Sequence, residues 1–159
     1  MQSVSEQNDK KALEFLSKHK TGVIASVTTD GVPHAATVYF TAGDDFSIYF
    51  LTKTSTKKYK IFTENGVIAF VVSSEEEPQT VQLQGVVKEV AREDQSMRIM
   101  ERLLHNVTSN PLYTAPLSKL EDAKVVLMKI TPHWLRWSDF TLGTSNPDTI
   151  FFEKYVNIE

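Results

Sequence analysis

A chain of 159 residues, with 41% hydrophobic and 23% charged side chains, suits one soluble domain built on a single core. Its formal net charge of −3 and pI near 5.8 argue against nucleic acid as the main partner, because nucleic-acid binders carry a basic field. Cysteine is absent, which excludes disulfides, thiolate catalysis and zinc–sulfur sites and leaves the redox compartment open.

Met1 to Lys10 is polar, so no signal peptide is visible, and no apolar run approaches the ~20 residues of a membrane helix. The expectation is a cytoplasmic protein with no membrane partner. Asn8 or Asp9 is expected to cap a first helix running to about His19, with Ala12, Leu13, Phe15 and Leu16 as its apolar face. Gly22 then releases the chain into three short apolar runs. Val23 to Val27 ends at Thr29-Asp30-Gly31, a strong hairpin signal. Ala35 to Thr41 ends at the turn residues Ala42-Gly43-Asp44-Asp45, and Phe46 to Leu51 follows. These runs predict an antiparallel meander.

The meander delivers a segment with chemical content. Thr52, Thr54, Ser55 and Thr56, with Thr63 in the helix behind them, supply five hydroxyls. Thr52 to Lys60 holds four lysines and no acid, a local charge of +4, which leaves −7 on the rest of a chain of total −3. A second helix is expected from about Ser55 to Glu64, with Tyr59 and Phe62 on one face and Asn65-Gly66 as its stop. Lys57 and Lys58 then fall in its first turn, where the helix dipole disfavours cations. Hydroxyls, free N–H groups and ammoniums converging without a carboxylate suggest a bound anion, most simply a phosphate. On charge alone a solvated basic surface explains the lysines equally well. The position directly after a strand, with hydroxyls interleaved, favours phosphate.

Val67 to Val72 reads as a continuous apolar strand covered on both faces, and Glu75-Glu76-Glu77 as a solvated turn. Thr80 to Val90 alternates, with Thr80, Gln82 and Gln84 on one face and Val81, Leu83 and Gly85 on the other. The polar face is either ordinary solvent surface or a set of amides for a polar ring edge. Glu93 or Asp94 should start a third helix to about Val107, with Met97, Met100, Leu104 and Val107 as its core stripe. Asn110 to Leu120 is a loop. Val125 to Ile130 is another buried strand, Pro132 interrupts it, and His133 to Ser138 continues beyond. There Trp134 and Arg136 share one face, Leu135 and Trp137 the other. The tail from Asp139 to Glu159 is polar with apolar anchors for docking. About six short strands and three helices give a mainly β (α+β) chain, a β-barrel or strongly bent sheet with peripheral helices.

Hydrolytic motifs are weak. His19, His34, His105 and His133 lack metal-ligand spacing, and there is no Gly-x-Ser-x-Gly, P-loop or dinucleotide fingerprint. An anion site in such a chain points to a cofactor that brings its own reactivity.

The order Asp30-Gly31-x-Pro33-His34, Tyr49-Phe50-Leu51-Thr52 and Thr56-Lys57-Lys58 resembles the pyridoxamine 5'-phosphate oxidase-like, FMN-binding split-barrel proteins, from about Ala12 to about Asp139. The resemblance implies one antiparallel six-stranded split β-barrel with peripheral helices over residues 1–159. It implies that Thr52, Thr56, Lys57 and Lys58 bind the phosphate of FMN. In that scheme the lysines neutralise the dianion and the threonines donate hydrogen bonds. Ala35, Ala36, Thr37 and Val38 would run their backbone beside the ring, Thr80 and Gln82 would lie near its edge, and Trp134 and Arg136, with Trp137 a further candidate, would complete the site. The flavin would sit at the subunit interface of a homodimer. The oxidases of this fold carry arginine and lysine where this chain has Ala36 and Thr41, so pyridoxamine phosphate is not the expected substrate.

The leading expectation is therefore an FMN-dependent oxidoreductase acting on an unidentified small molecule. A non-catalytic flavin-binding carrier or stress-related module is the alternative, and a haem-binding protein of the same fold, with His34, His105 or His133 as ligand, is the third reading. A deazaflavin is the other cofactor that related barrels use.

Overall fold

The computed structural model describes residues 3–111, 124–142 and 151–156. Its elements in chain order are α1 (Val4–Lys18), β1 (Thr21–Val27), β2 (Pro33–Ala42), β3 (Ile48–Lys53), α2 (Lys57–Glu64), β4 (Val67–Ser73), β5 (Gln79–Glu89), α3 (Met97–Thr108), β6 (Val125–Asp139) and β7 (Phe151–Tyr155). The strand order is β3-β2-β1-β4-β5-β6-β7, every neighbour antiparallel. A further antiparallel pairing of β3 with β6 closes the first six strands into a barrel. This is the expected six-stranded split barrel, with the meander β1-β2-β3 in place.

Strand β6 makes closure possible through its length of 15 residues. Val125 to Ile130 pairs with β3, Trp134 to Ser138 pairs with β7, and β5 runs along the opposite edge. Pro132 does not break it, contrary to the sequence reading. The register with β5 shifts between Gln84 and Gly85, so His133 is left over as a bulge and the strand bends there instead of ending. Gly85 permits this bend: a Cβ at that position would lie 2.3 Å from the Thr131 carbonyl oxygen.

Several boundaries differ from expectation for local reasons. Helix α1 begins five residues before Asn8's neighbourhood would suggest, at the cap Ser3. Ser3 Oγ accepts from the Glu6 N–H and Glu6 accepts from the Ser3 N–H, a reciprocal capping box. Thr56, not Ser55, precedes α2 as its cap. A short 3-10 turn, Arg92–Asp94, takes the place of the expected start of α3, and Ser96 caps the helix proper. The α3 stripe is also rotated: Leu103 and Val107 are buried, while Met97 and Leu104 are 75% and 50% exposed. The Asn106 amide donates to the Phe40 carbonyl at 2.8 Å and fixes that rotation. The tail holds β7, whose Phe152, with Val156 just beyond, packs on the core. Gly143, Pro147 and most of the Asn110 to Leu120 loop lie outside the described residues.

The barrel interior is aromatic and aliphatic. Phe40 meets Phe70 edge-on at 5.3 Å, Phe50 meets Phe62 at 5.9 Å, and Ile24, Ile48, Leu83, Ile130 and Leu135 fill the space between. Each such side chain contributes about 1.5–3 kcal/mol by leaving water. Strand β4 is covered on one face only, a correction to its expected double burial. Ile68, Phe70 and Val72 point inward, whereas Val67 is 58% exposed and Ala69 is exposed beside it. Among the described residues no helix is long and apolar enough to cross a membrane.

Candidate functional site

The junction of β3 and α2 is built by two hydroxyls. Alternation along β3 turns Thr52 inward with Phe50, and it is 2% exposed. Thr56 Oγ1 accepts the Tyr59 N–H at 3.3 Å as the helix cap and donates its proton to the Lys53 carbonyl at 2.8 Å. Thr52 Oγ1 lies 3.3 Å from Thr56 Oγ1. Since the single Thr56 proton is committed to Lys53, Thr52 is the donor in that pair. Both protons thus close the junction in this arrangement, and the threonines shape the site where the sequence reading had them donate to the anion. The first-turn N–H groups of Lys57 and Lys58 have no carbonyl of their own helix to bond, because they precede the fifth residue of the ladder.

A cavity of about 360 Å³ opens beside this junction. Its walls are Thr37, Val38 and Tyr39 of β2, Thr21 of β1, Leu51, Thr52 and Lys53 of β3, Thr56 and Lys58 at the start of α2, and Val107 of α3. No lining residue is a carboxylate. Lys58 is half-buried and lines the cavity, whereas Lys57 is exposed and does not. Burial, and next the charge of Lys53, push the Lys58 pKa below the ordinary lysine value. Lys53 and Lys58 line the cavity beside the start of α2, with no carboxylate among the lining residues, a setting that favours a bound anion.

The cavity thus joins Thr37, Val38, Thr52, Thr56 and Lys58 of the expected residues. It also uses Lys53, Tyr39, Thr21, Leu51 and Val107, which sequence reasoning did not single out. Lys53 stood within the basic segment and could have been chosen. Thr21 and Tyr39 meet only through strand register, and Val107 arrives only through the packing of α3.

Of the remaining expected residues, Ala35, Gln82, Trp134 and Arg136 lie on the outer face of the sheet. One register row runs Thr37, Val23, Val71, Gln82, Arg136, and the next runs Ala35, Ala25, Ala69, Gln84, Trp134. Neighbouring strands stand ~4.8 Å apart, so Gln82 is roughly 14 Å from Thr37 along the row and Arg136 roughly 19 Å. Ala36 pairs with buried Ile24 and turns to the core side, so it offers the outer face only backbone. Thr80 is half-buried at the start of β5, opposite Ser73 and Ser138. A cleft of about 350 Å³ on this face is lined by Val23, Ala25, Ala69, Val71, Gln82, Gln84 and Trp134, besides backbone neighbours. An adjoining one of about 400 Å³ shares Ala25, Ala69 and Gln84 and adds His133. Neither is lined by a charged side chain. Arg136 Nε sits 2.8 Å from Glu153 Oε1 of β7. Trp137 is buried in the core at 3% exposure.

Neither Ala36 nor Thr41 presents a side chain to the phosphate-like cavity, and Thr41 is 4% exposed under α1 and α3. Among the described residues no group of three or more His, Asp or Glu side chains could hold a metal ion.

Comparison with solved structures gives the same fold on distant sequences. A pyridoxamine 5'-phosphate oxidase-related, FMN-binding protein from Nostoc punctiforme is 12% identical, with 99% of this chain and 100% of that one covered at a TM-score of 0.60. An F420 reductase is 20% identical, with 77% and 93% covered at 0.57. A heme-binding protein from Mycobacterium smegmatis is 14% identical, with 98% and 60% covered at 0.64. No curated protein matches the chain. The family model for pyridoxamine 5'-phosphate oxidase matches residues 9–138, from α1 to the end of β6, and the chain therefore belongs to the pyridoxamine 5'-phosphate oxidase family.

Proposed function

We propose that the protein binds FMN and acts as a flavin-dependent oxidoreductase on a small molecule other than pyridoxamine phosphate. The observation that carries this reading is the cavity at the start of α2, lined by Lys53, Lys58 and Thr37 to Tyr39 of β2 with no carboxylate among its lining residues. A phosphate dianion suits a cavity lined by lysines and by no carboxylate. From there the row Thr37, Val23, Val71, Gln82 leads across a face of small side chains to an amide, which can donate to or accept from a heterocyclic edge. Lys58 and the helix N–H groups would hold the phosphate, Thr52 and Thr56 would keep the junction in shape, and Ala35 to Val38 would lie along the ring. Bound there, FMN would supply hydride acceptance, and this chain's residues would supply position and exclusion of water. We further propose that the open outer face, with exposed Val23, Ala25, Val67 and Ala69, is covered by a second copy in a homodimer, with the flavin between subunits. The short Ala36 and Thr41, neither reaching the cavity, support a substrate without the charge pattern of pyridoxamine phosphate.

The fold is also compatible with a deazaflavin, as the F420 reductase neighbour suggests, and with a purely flavin-carrying role. His133 in the apolar cleft beside Ala25 and Ala69 favours haem as the second reading. The absorption spectrum of the purified protein separates them: flavin shows two bands in the near ultraviolet and blue, haem a Soret band. In titrations of apoprotein, FMN should bind at least roughly tenfold tighter than riboflavin, the worth of one phosphate contact. Equal affinity for the two flavins would remove the phosphate site, and with it the reading.

A further inference from the structure

We propose that the cavity between the end of α1 and α3 is a second ligand site, and that it takes a small zwitterion with one ammonium and one carboxylate, an α-amino acid. The cavity measures about 310 Å³ and shares no lining residue with the one at the start of α2, so the proposal stands apart from the flavin reading. Thr41 of β2 lines it and is 4% exposed, yet the Thr41 hydroxyl makes no hydrogen bond among the described residues. A hydroxyl buried without a partner is costly, and a ligand in the cavity relieves that cost. Glu101 and Arg102 line the same cavity from α3, and neither has an ion-pair partner among the described residues. They are poorly placed to pair with each other, since adjacent residues on a helix diverge by ~100°. Arg102 is half-buried, so its side chain is partly withdrawn from water without a counter-charge. From α1, His19 is held with Nδ1 2.7 Å from the Phe15 carbonyl oxygen and its ring centroid 4.2 Å from that of Phe15. A carbonyl only accepts, so Nδ1 carries the proton and the neutral ring keeps Nε2 as an acceptor. An acid, a ring acceptor, a guanidinium and a hydroxyl thus border one small space. The ammonium of the ligand pairs with Glu101 and His19 Nε2, and its carboxylate takes the Arg102 fork and the Thr41 hydroxyl. Leu16, 1% exposed, gives the ligand side chain an apolar wall. A bare anion would face Glu101 and a bare cation would face Arg102, so a ligand with both charges suits the site best.

The test is isothermal titration of the full-length protein as purified with four probes: L-alanine, L-leucine, acetate and methylammonium. At least one of the two amino acids should bind with millimolar affinity or tighter, and roughly tenfold tighter than acetate or methylammonium, the effect of one further charge-assisted contact. Arg102→Gln and Glu101→Gln should each weaken amino-acid binding by roughly tenfold. Thr41→Val keeps the shape and removes the hydroxyl, and should weaken binding less than either charge change. Circular dichroism confirms that each variant is folded before it is titrated. Lys10→Gln, an exposed position on α1 away from the cavity, should bind as wild type does. Absence of binding by both amino acids overturns the proposal. So does acetate or methylammonium binding as tightly as the amino acids, which would make the cavity a site for a simple ion. Folded Arg102→Gln and Glu101→Gln proteins that bind as wild type does place the ligand elsewhere and also overturn it.

Discussion

The hydroxyls of Thr52 and Thr56 lie 3.3 Å apart, one on the last inward turn of β3 and the other capping α2. This contact ties the closed barrel to the helix whose first turn carries Lys57 and Lys58. Thr56→Ala removes a cap worth about 0.5–2 kcal/mol and leaves the buried Thr52 hydroxyl without its acceptor. A combined loss of about 1–3 kcal/mol is expected, visible as a drop of several degrees in the melting midpoint of the apoprotein. Thr56→Ser should recover most of it. Calorimetry without flavin checks this, and an unchanged midpoint for Thr56→Ala would show that the cap carries no stability.

Lys58→Ala should weaken FMN binding by roughly tenfold to a hundredfold, since a charge-assisted bond contributes about 1.5–3 kcal/mol. Riboflavin binding should barely change. Without flavin the substitution should be neutral or slightly stabilising, because a cation leaves the positive end of a helix. Parallel titrations of FMN and riboflavin read the difference. Lys57→Ala, exposed and off the cavity, should have the smaller effect.

The lowered Lys58 pKa gives a signed pH dependence. Its charged form is disfavoured in the folded protein by burial and by Lys53. That cost is fully present below the lowered folded pKa. It is relieved as pH rises from there towards the ordinary lysine value, where the unfolded chain binds more protons, so Lys58 makes apoprotein stability rise with pH in that window. A bound phosphate reverses the preference. The ratio of FMN to riboflavin affinity should therefore fall as pH climbs through the alkaline range, and earlier than for an unperturbed lysine. Lys58→Arg, charged throughout, should flatten the profile. A ratio that stays constant in wild type up to the ordinary lysine pKa would contradict this assignment.

The open outer face predicts a dimer. Obligate dimers bury more than ~2,000 Å² in total, and Val23, Ala25, Val67 and Ala69 form a face without charge to oppose such contact. Sedimentation at micromolar concentration should give twice the chain mass. Ala69→Glu, flanked by Ala25 and Gln84 on neighbouring strands, should give the chain mass with an unchanged circular dichroism spectrum. A wild-type monomer under the same conditions would remove the dimer proposal.

Short-range features of this chain were legible in its sequence. Alternation in Thr80 to Val90 and in Trp134 to Trp137 placed each side chain on its observed face, because a strand's period of two is fixed by the backbone. The turn at Asp30-Gly31, with Gly31 at φ 88°, and the run of hydroxyls before Lys57 and Lys58 marked the meander and the start of α2. Tertiary structure decided what depends on partners distant in sequence. Closure of β3 on β6 brought Lys53 and Val125 together across the barrel, and α3, turned by the Asn106 bond to Phe40, carried Val107 to the cavity. Pro132 reads as a strand breaker, yet the Gly85 bulge absorbs it, because a missing Cβ on one strand leaves room for irregular backbone on the next. The charge of Arg136 was visible in the sequence. Its cancellation was not, since Glu153 reaches it only when β7 pairs back onto β6.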